Sequence, residues 1–408
     1  MELKRRLDSQ MQKTLIANAR IVTEDGDGLW GWILLREGKI AAIGAADQPP
    51  PPEAETARRI DGAGGWVLPG FIDLHVHGGA GCDFLDANEK SLREITRFHA
   101  AHGTTGMLAT SLTVEKSRLD AMLEAVHRFM ASPMPYAQLL GVHLEGPFIN
   151  PRHKGAQNPD HIVPPRPDWL DEWTSRYPGL IKIQTLAPEL DGALEYIERL
   201  KHHGIVPACG HTDASYARMM TAADKGLRHA VHTFNAMRPY HHREPGTVGA
   251  VLTDDRIMAE IIADGRHVHP AGIRLLLRAK GIANVALVTD AISAAGMPDG
   301  EYTLGGLSVM LRDGVARLRD SDHLAGSTLT MLDAFRYLVR EVGVSVPDAS
   351  RMASANPARQ LGMDRFAGSL KPGKRADVLL LDASLGLLRV WIGGTEMDTL
   401  DQGHGNEF

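Results

Sequence analysis

A short apolar run, Val142-His143-Leu144-Glu145, ends on a carboxylate and is followed by Gly146-Pro147-Phe148. The run predicts a buried strand, and the Gly-Pro pair predicts where it ends. A carboxylate that faces the interior needs a charged partner, because burying an unpaired charge is costly. A divalent metal ion is the expected partner, since imidazole and carboxylate ligands together suit zinc or a similar metal. Four histidines also lie at the ends of predicted strands: His75, His77, His211 and His232.

The composition is typical of a globular protein, with 43% hydrophobic and 23% charged residues in 408. A formal net charge of -6 and a pI near 6.3 argue against a nucleic-acid partner. No run approaches the ~18 apolar residues of a membrane span, so no membrane partner is expected. Cys82 and Cys209 are the only cysteines, which predicts no disulfide framework and a cytoplasmic location.

Between residues 68 and 362, short apolar runs alternate with longer amphipathic stretches that predict helices, such as Leu119–Ala131 and Ala271–Lys280. Eight such alternations favour an α/β fold, a (β/α)8 barrel of the TIM type. The eight predicted strands are Gly70–His77, Gly106–Thr110, Leu139–Glu145, Ile181–Leu186, Ile205–Cys209, His229–Thr233, Ile257–Ile262 and Val285–Asp290.

Both ends of the chain are rich in strand-like runs, from Thr14 to Asp61 and again after Ala376. Neither end has enough strands to bury a core alone. We therefore predict a small β-sandwich domain made from both termini, residues 1–67 with 363–408, and a metal-dependent barrel domain at residues 68–362.

The active site of a TIM-type barrel lies at the carboxyl ends of its strands. Glu145 and the four histidines named with it all lie at such ends. His75 and His77 lie two residues apart on the first strand, so both imidazoles face the same side. Asp290 ends the eighth strand. Taken alone it could cap a helix, but beside a metal ion it is better interpreted as a general base. His229 begins its strand and is interpreted as structural, and Asp73 as a turn or packing residue.

Three further stretches are candidate substrate contacts: Lys154–Asn158, His241–Gly246 and Ala263–His267. Arg243 and His267 are the cationic groups in these stretches that suit an anionic group, most simply a phosphate. The alternative is that these charged loop residues are only solvated.

At this point the chain resembles the N-acetylglucosamine-6-phosphate deacetylases, a family of the amidohydrolase superfamily. The motifs that carry the resemblance run in order through nearly the whole chain: His143–Phe148, Gly210–Thr212, His232–Met237, Arg243–Gly246, Ala263–Gly265, Val288–Ala291 and Leu324–Ser327.

The resemblance implies a metal-dependent barrel, with Glu145, His211 and His232 on the principal ion and Asp290 as the catalytic acid/base. It implies zinc most simply, with iron, cobalt or manganese as alternatives, and one or two ions per subunit. The second ion would bind His75 and His77, and Cys82 is a weaker extra candidate. The expected substrate contacts are Ala156, Gln157, Asn235, Ala236, Arg243, His267, Leu324, Ala325 and Gly326.

The implied reaction is deacetylation of N-acetyl-D-glucosamine 6-phosphate to D-glucosamine 6-phosphate and acetate, in amino-sugar catabolism and cell-wall recycling. The implied assembly is a homodimer in which Arg243 reaches the neighbouring site. Two alternatives stay open. One is a cyclic-amide hydrolase of the dihydroorotase or hydantoinase kind, which uses a modified lysine on strand four, although Lys182 begins that strand here. The other is a non-catalytic scaffold of the same fold.

Overall fold

A computed structural model describes residues 13–24 and 28–397 of the chain. No helix within these residues is both long and apolar enough to cross a membrane. By their packing the residues divide into two compact units, each described here by itself. The larger unit comprises Asp73–Phe98 and Gly106–Gly343, and the smaller one comprises the residues up to Ile72, His99–Thr105 and those from Val344 on. The domain limits expected from the sequence, at residues 68 and 362, stay a prediction.

The barrel sheet contains eight parallel strands that neighbour one another in chain order. The last strand, Val285–Val288, is followed by a return to the first, Phe71–Val76, because Ala291 forms a parallel bridge with Val76 and its carbonyl accepts the His77 N–H at 2.8 Å. The TIM-type fold that the sequence predicts is therefore confirmed as a nearly closed barrel. Its strands are β1 (Phe71–Val76), β2 (Thr104–Thr110), β3 (Gln138–Glu145), β4 (Ile181–Leu186), β5 (Val206–Cys209), β6 (His229–Ala230), β7 (Met258–Ile262) and β8 (Val285–Val288).

A helix lies between each consecutive pair of barrel strands. The helix Pro270–Lys280 shows how the sequence determines both helix ends. At its start, the His269 side chain accepts the Ala271 N–H and Pro270 occupies the first turn; at its end, Gly281 follows with φ +70°. The seven helices are Glu89–Ala101, Lys116–Met130, Pro167–Arg176, Ala193–His202, Tyr216–Lys225, Gly246–Thr253 and Pro270–Lys280.

The sequence did not predict a three-stranded antiparallel sheet that follows β8, with strands Gly300–Leu304, Leu307–Arg312 and Val315–Leu318. A short hairpin also follows β1, from Gly78–Gly79 and Cys82–Asp83. The remaining helical segments are Pro52–Ala54, Phe84–Asp86, Pro151–His153, Pro159–His161, Ile282–Asn284, Met331–Tyr337, Leu338–Val342, Val346–Ser350, Arg351–Ala355 and Asn356–Gln360.

Strands from both chain ends join a single mixed sheet, so the two ends do build one β structure together. The first of them has a bulge between Ala17 and Ala19, where Asn18 takes a left-handed φ of 57°. Alternating side chains bury both faces, for example Ile33 on one and Leu34 on the other. The eight strands are Thr14–Ile21, Leu29–Arg36, Lys39–Ala45, Arg58–Asp61, Trp66–Pro69, Val378–Leu381, Leu387–Ile392 and Thr395–Glu396.

Candidate active site

Three of the expected metal ligands converge at the carboxyl end of the barrel. The His232 Nε2 atom lies 3.0 Å from Glu145 Oε1 and 3.1 Å from His211 Nε2, and His211 Nε2 lies 3.2 Å from Glu145 Oε1. Ligand atoms that are each about 2.0–2.2 Å from one ion lie about 3.0–3.5 Å from one another. These three side chains are therefore spaced as the ligands of a single divalent ion.

The protonation of His211 supports the same conclusion. Its Nδ1 atom lies 2.9 Å from the His153 carbonyl oxygen, which can only accept, so Nδ1 carries the proton. In the neutral ring, Nε2 then presents a lone pair to a carboxylate oxygen and to a second imidazole nitrogen. Such a meeting of lone pairs suits a cation between them, and the donor set is one that zinc prefers.

A second group of donors shares Glu145 with the first. His77 Nε2 lies 3.0 Å from Asp290 Oδ1 and 3.5 Å from Glu145 Oε2. His75 Nε2 lies 3.2 Å from Glu145 Oε1 and 3.6 Å from Asp290 Oδ1, yet it makes no hydrogen bond although it is buried. Burial acts to raise the pKa of Asp290, but His75 and His77 bring it below its ordinary value. The geometry thus suits a second ion, with Asp290 ionised beside it.

A cavity of about 310 Å³ opens onto both groups. His75 is fully buried and is not among the described residues that line it. Arg243 is exposed in its loop with a nitrogen 2.9 Å from His242 Nε2, and Ala325 is buried, so neither is among the described residues that line this cavity. The expected site residues that do line it are His77, Glu145, Ala156, Gln157, His211, His232, Asn235, Ala236, His267, Asp290, Leu324 and Gly326.

Residues 66–399 match the sequence profile described as the amidohydrolase family. The chain belongs to the amidohydrolase family. It is 38% identical to the N-acetylglucosamine-6-phosphate deacetylase of Bacillus subtilis (strain 168), over 91% of this chain and 94% of the relative. It is 40% identical to the N-acetylgalactosamine-6-phosphate deacetylase of Escherichia coli O157:H7, over 92% of this chain and 97% of the relative.

A solved structure shows the same relationship in three dimensions. A variant of N-acetyl-D-glucosamine-6-phosphate deacetylase from Mycobacterium smegmatis, in complex with N-acetyl-D-glucosamine-6-phosphate, superposes with a TM-score of 0.88. The two chains are 35% identical, and the match covers 94% of this chain and 99% of the other. Together these comparisons confirm the family resemblance that the motifs indicate.

This amidohydrolase presents three of its candidate site residues from strained backbone. His211, His232 and Asp290 have φ values of 49°, 29° and 52°, in the left-handed region that residues with a Cβ rarely adopt. Each such residue costs about 1–3 kcal/mol and persists only where its surroundings hold it. Asp290 is held through its backbone, whose N–H donates to the His75 carbonyl and whose carbonyl accepts the Ser327 N–H, both at 2.8 Å.

The strain explains why the sequence overestimated two strands. Strands β6 and β8 were expected to run to Thr233 and Asp290, but they end at Ala230 and Val288. Backbone in the left-handed region interrupts a regular ladder, so these two site residues follow their strands instead of belonging to them.

Two buried residues near the ligands were not singled out as site residues. Glu260 on β7 lies 2.9 Å from His75 Nδ1 and 2.7 Å from His229 Nε2. His143 on β3 lies near the ligands too, but its Nδ1 is 3.1 Å from the Leu74 carbonyl and its Nε2 is 2.8 Å from the Thr185 hydroxyl. Burial, followed by the charge of His75, lowers the pKa of His143 to about 3, so we infer a neutral, structural histidine. A charged or polar residue inside an apolar strand was the available sequence signal.

Two of the expected substrate contacts have defined partners of their own. Gln157 accepts the Thr113 N–H at 2.6 Å and donates to Glu145 Oε2 at 2.5 Å, so its amide is bound to a candidate metal ligand. His267 Nδ1 lies 2.6 Å from Asp264 Oδ2. Burial acts to lower the pKa of His267, but Asp264 outweighs it and raises the pKa, which favours a cationic group on the cavity wall.

Proposed function

We propose that this amidohydrolase hydrolyses the acetamide of N-acetyl-D-glucosamine 6-phosphate, releasing D-glucosamine 6-phosphate and acetate. The observation that carries the proposal is that Glu145 lies within 3.5 Å of histidines from both donor groups, with Asp290 in the wall of the same cavity. The B. subtilis relative and the M. smegmatis complex, which carry the same substrate in their names, support this choice of substrate.

Glu145, His211 and His232 would hold the principal ion, and His75 and His77 would hold a second one. Zinc is the expected metal, because the set combines imidazole and carboxylate donors. When bound, such an ion would supply Lewis acidity, which polarises the amide carbonyl and makes a nearby water more acidic.

Asp290 is the proposed proton carrier. It is ionised at neutral pH, as its lowered pKa indicates, so it can accept a proton from the attacking water. It would then return that proton to the nitrogen of the leaving amine, because an unprotonated amide nitrogen is a poor leaving group. Its backbone, held on both sides by hydrogen bonds, keeps the carboxylate directed into the cavity.

The rest of the cavity would orient the sugar phosphate. His267, as a cation beside Asp264, suits the 6-phosphate, and Asn235, Ala236 and Leu324 would contact the sugar. Arg243 is exposed outside this cavity, which agrees with our proposal that it reaches the phosphate of a neighbouring subunit in a homodimer. Contacts made far from the scissile bond supply orientation.

A second substrate is favoured by one specific observation. The E. coli relative, which is 40% identical, is named for N-acetylgalactosamine 6-phosphate, an epimer of the proposed substrate. The cyclic-amide alternative has less support, because Lys182 lies near the start of β4 and Glu145 already provides an anionic ligand at the site. A cytoplasmic location and a role in amino-sugar catabolism and cell-wall recycling stay predictions.

The deciding experiment measures acetate release by purified protein with and without a chelator. The substrates are N-acetylglucosamine 6-phosphate, its galacto epimer and unphosphorylated N-acetylglucosamine. We expect chelator-sensitive release from the gluco 6-phosphate and at least 10²-fold lower kcat/KM without the phosphate. Release only from the epimer would identify the second substrate. No release from any of them by metal-loaded protein would reject the proposal and leave the non-catalytic scaffold.

The second ion has its own test, which is metal analysis of the wild type and of His75→Ala. Two ions per chain in the wild type and one in the variant, with lower turnover, are expected. One ion per chain at full activity, unchanged in the variant, would rule the second ion out.

A further inference from the structure

We propose that Glu260 is a positioning residue that orients ligands of both metal groups at once. The inference concerns how this chain presents its donors to metal, and it rests on the proposed metal binding. Glu260 lies on β7, is fully buried, and is not among the described residues that line the substrate cavity. It therefore acts on the reaction only through other side chains.

The two carboxylate oxygens of Glu260 have three partners. Oε2 lies 2.9 Å from His75 Nδ1 and accepts the backbone N–H of His232 at 3.1 Å. Oε1 lies 2.7 Å from Nε2 of His229, which is also fully buried. His75 belongs to one donor group and His232 to the other, so a single carboxylate touches a member of each.

The contact with His75 decides which ring nitrogen faces the metal position. A carboxylate beside Nδ1 keeps the proton on that atom, so Nε2 is free to present a lone pair toward Glu145 and Asp290. The buried Nε2 makes no hydrogen bond of its own, which agrees with a role as ligand. Without Glu260, the ring could move its proton to Nε2 or rotate, and either change would remove a ligand.

The contact with His232 holds its backbone. His232 has φ 29° and is not part of a strand, so its N–H needs a partner outside the ladder. Glu260 supplies that partner with its side chain, and its carbonyl accepts the next N–H, that of Thr233, at 3.0 Å. The anchoring explains how a strained residue keeps its imidazole beside Glu145.

Glu260 is not itself a convincing ligand, although it forms a third cluster with His75 and His143. Both nitrogens of His143 are already bonded to Leu74 and Thr185, and both oxygens of Glu260 are engaged as described. In this arrangement His229 holds Oε1 of Glu260, while Oε2 of Glu260 contacts His75 and His232. The sequence interpretation of His229 as structural is compatible with this arrangement.

The test compares Glu260→Leu with the milder Glu260→Gln. Leucine removes both side-chain acceptors, whereas the glutamine oxygen can still accept from His75 and His232. Zn²⁺ affinity is measured by equilibrium dialysis, and we expect losses of about 10–100-fold for Glu260→Leu and smaller ones for Glu260→Gln. Equal affinity in Glu260→Leu and wild type would overturn the proposal. If the leucine variant does not fold, Glu260→Ala, which also lacks both carboxylate oxygens, replaces it, and wild-type affinity in that variant would overturn the proposal.

Asp73→Asn is the matched control for losing a buried carboxylate. Asp73 is also fully buried and accepts the Thr289 hydroxyl at 2.6 Å and the His75 N–H at 3.2 Å, which are not imidazole contacts. His75, unlike His232, lies inside a regular strand, so its backbone does not depend on a side-chain acceptor, and we expect Zn²⁺ affinity to change less than about threefold in this variant. A loss as large as in Glu260→Leu would show a general effect of charge removal and overturn the specific role.

A spectroscopic readout separates positioning from mere stability. In Co²⁺-loaded protein, the Nδ1–H of a ligating His75 should give a shifted, slowly exchanging proton signal that is missing in His75→Ala. We expect this signal to persist in Asp73→Asn and to exchange rapidly or vanish in Glu260→Leu. Its persistence in Glu260→Leu, or its absence from the wild type, would reject the proposal. Neither measurement uses acetate release, so the proposed function can fail or stand independently.

Discussion

The mouth of the barrel and the mixed sheet from the chain ends treat buried groups in opposite ways. In the sheet, the buried side chains are mainly apolar and alternate between two faces, with Ile16, Ile33 and Trp391 fully buried. At the barrel mouth, the buried side chains are imidazoles and carboxylates, and three candidate site residues have left-handed backbone. The sheet is built to be stable, whereas the mouth keeps costly groups in place for chemistry.

The same contrast holds for carboxylates. Glu24 in the smaller unit is near Lys371 and Lys374, which carry permanent charges at neutral pH. Glu145 at the mouth is surrounded by histidines, which can bind metal only when they are deprotonated. A protein cation satisfies the first carboxylate, and a metal ion suits the second.

The largest effect should come from Asp290→Asn. Asparagine cannot carry the proton, so kcat for acetate release should fall at least 10³-fold, which is about 4 kcal/mol in the transition state. Metal content and thermal stability should stay close to wild type, because the substitution leaves all five proposed metal ligands in place. Turnover within tenfold of wild type would contradict the role of Asp290.

Trp391→Ala should have the opposite effect, lowering stability without changing kcat. Removing a fully buried indole from the sheet core should lower the free energy of unfolding by about 3–5 kcal/mol, measured by denaturant titration. The kcat of the folded fraction should not change. Trp30→Ala is the matched control, because Trp30 is 43% exposed, and we expect it to cost less than about 1 kcal/mol. Similar losses in both variants would mean that burial does not distinguish them.

Metal removal tests the mouth directly. An ion that binds only the folded chain stabilises it by about 2.7 kcal/mol at a hundredfold excess over Kd. Dialysis against a chelator should therefore abolish activity and lower Tm by several degrees, and added Zn²⁺ should restore both. A Tm that does not respond to chelator or Zn²⁺ would show that the donors do not bind an ion tightly.

The smallest effect concerns pH and Glu24. Burial acts to raise its pKa, but Lys374, Ser369 and Lys371 together lower it to about 2. Because the folded pKa lies below the unfolded one, the stabilisation is complete above about pH 4.5 and is lost as pH falls toward 2. Partial exposure reduces its size, so Glu24→Gln should cost about 1–2 kcal/mol at pH 7. Denaturant titrations at pH 7 and pH 3.5 should show a smaller deficit at the lower pH, and a constant deficit would refute the linkage.

The sequence predicted most of the barrel and most of the candidate site residues, but not every element around them. The pattern of apolar runs predicted the barrel and the order of its strands, and the motifs after those strands indicated Glu145, His211, His232 and Asp290, which the structure brings to one cavity. The pattern missed the antiparallel sheet at Gly300–Leu318, although its Leu304 lines that cavity. It also missed the turns at His232 and Asp290, because left-handed backbone in residues with a Cβ depends on distant hydrogen bonds.

By itself, the sequence determined the class of fold, the family and the set of donors, because periodicity, turn residues and motifs are properties of neighbouring residues. Only the tertiary structure decided which donors share Glu145, which nitrogen of His75 faces Glu145 and Asp290, and that Gln157 and Glu260 contact candidate metal ligands. Those facts depend on contacts between residues up to 185 positions apart in the chain, such as His75 with Glu260. A pattern of neighbouring residues cannot predict such a contact, because it forms only when the barrel closes.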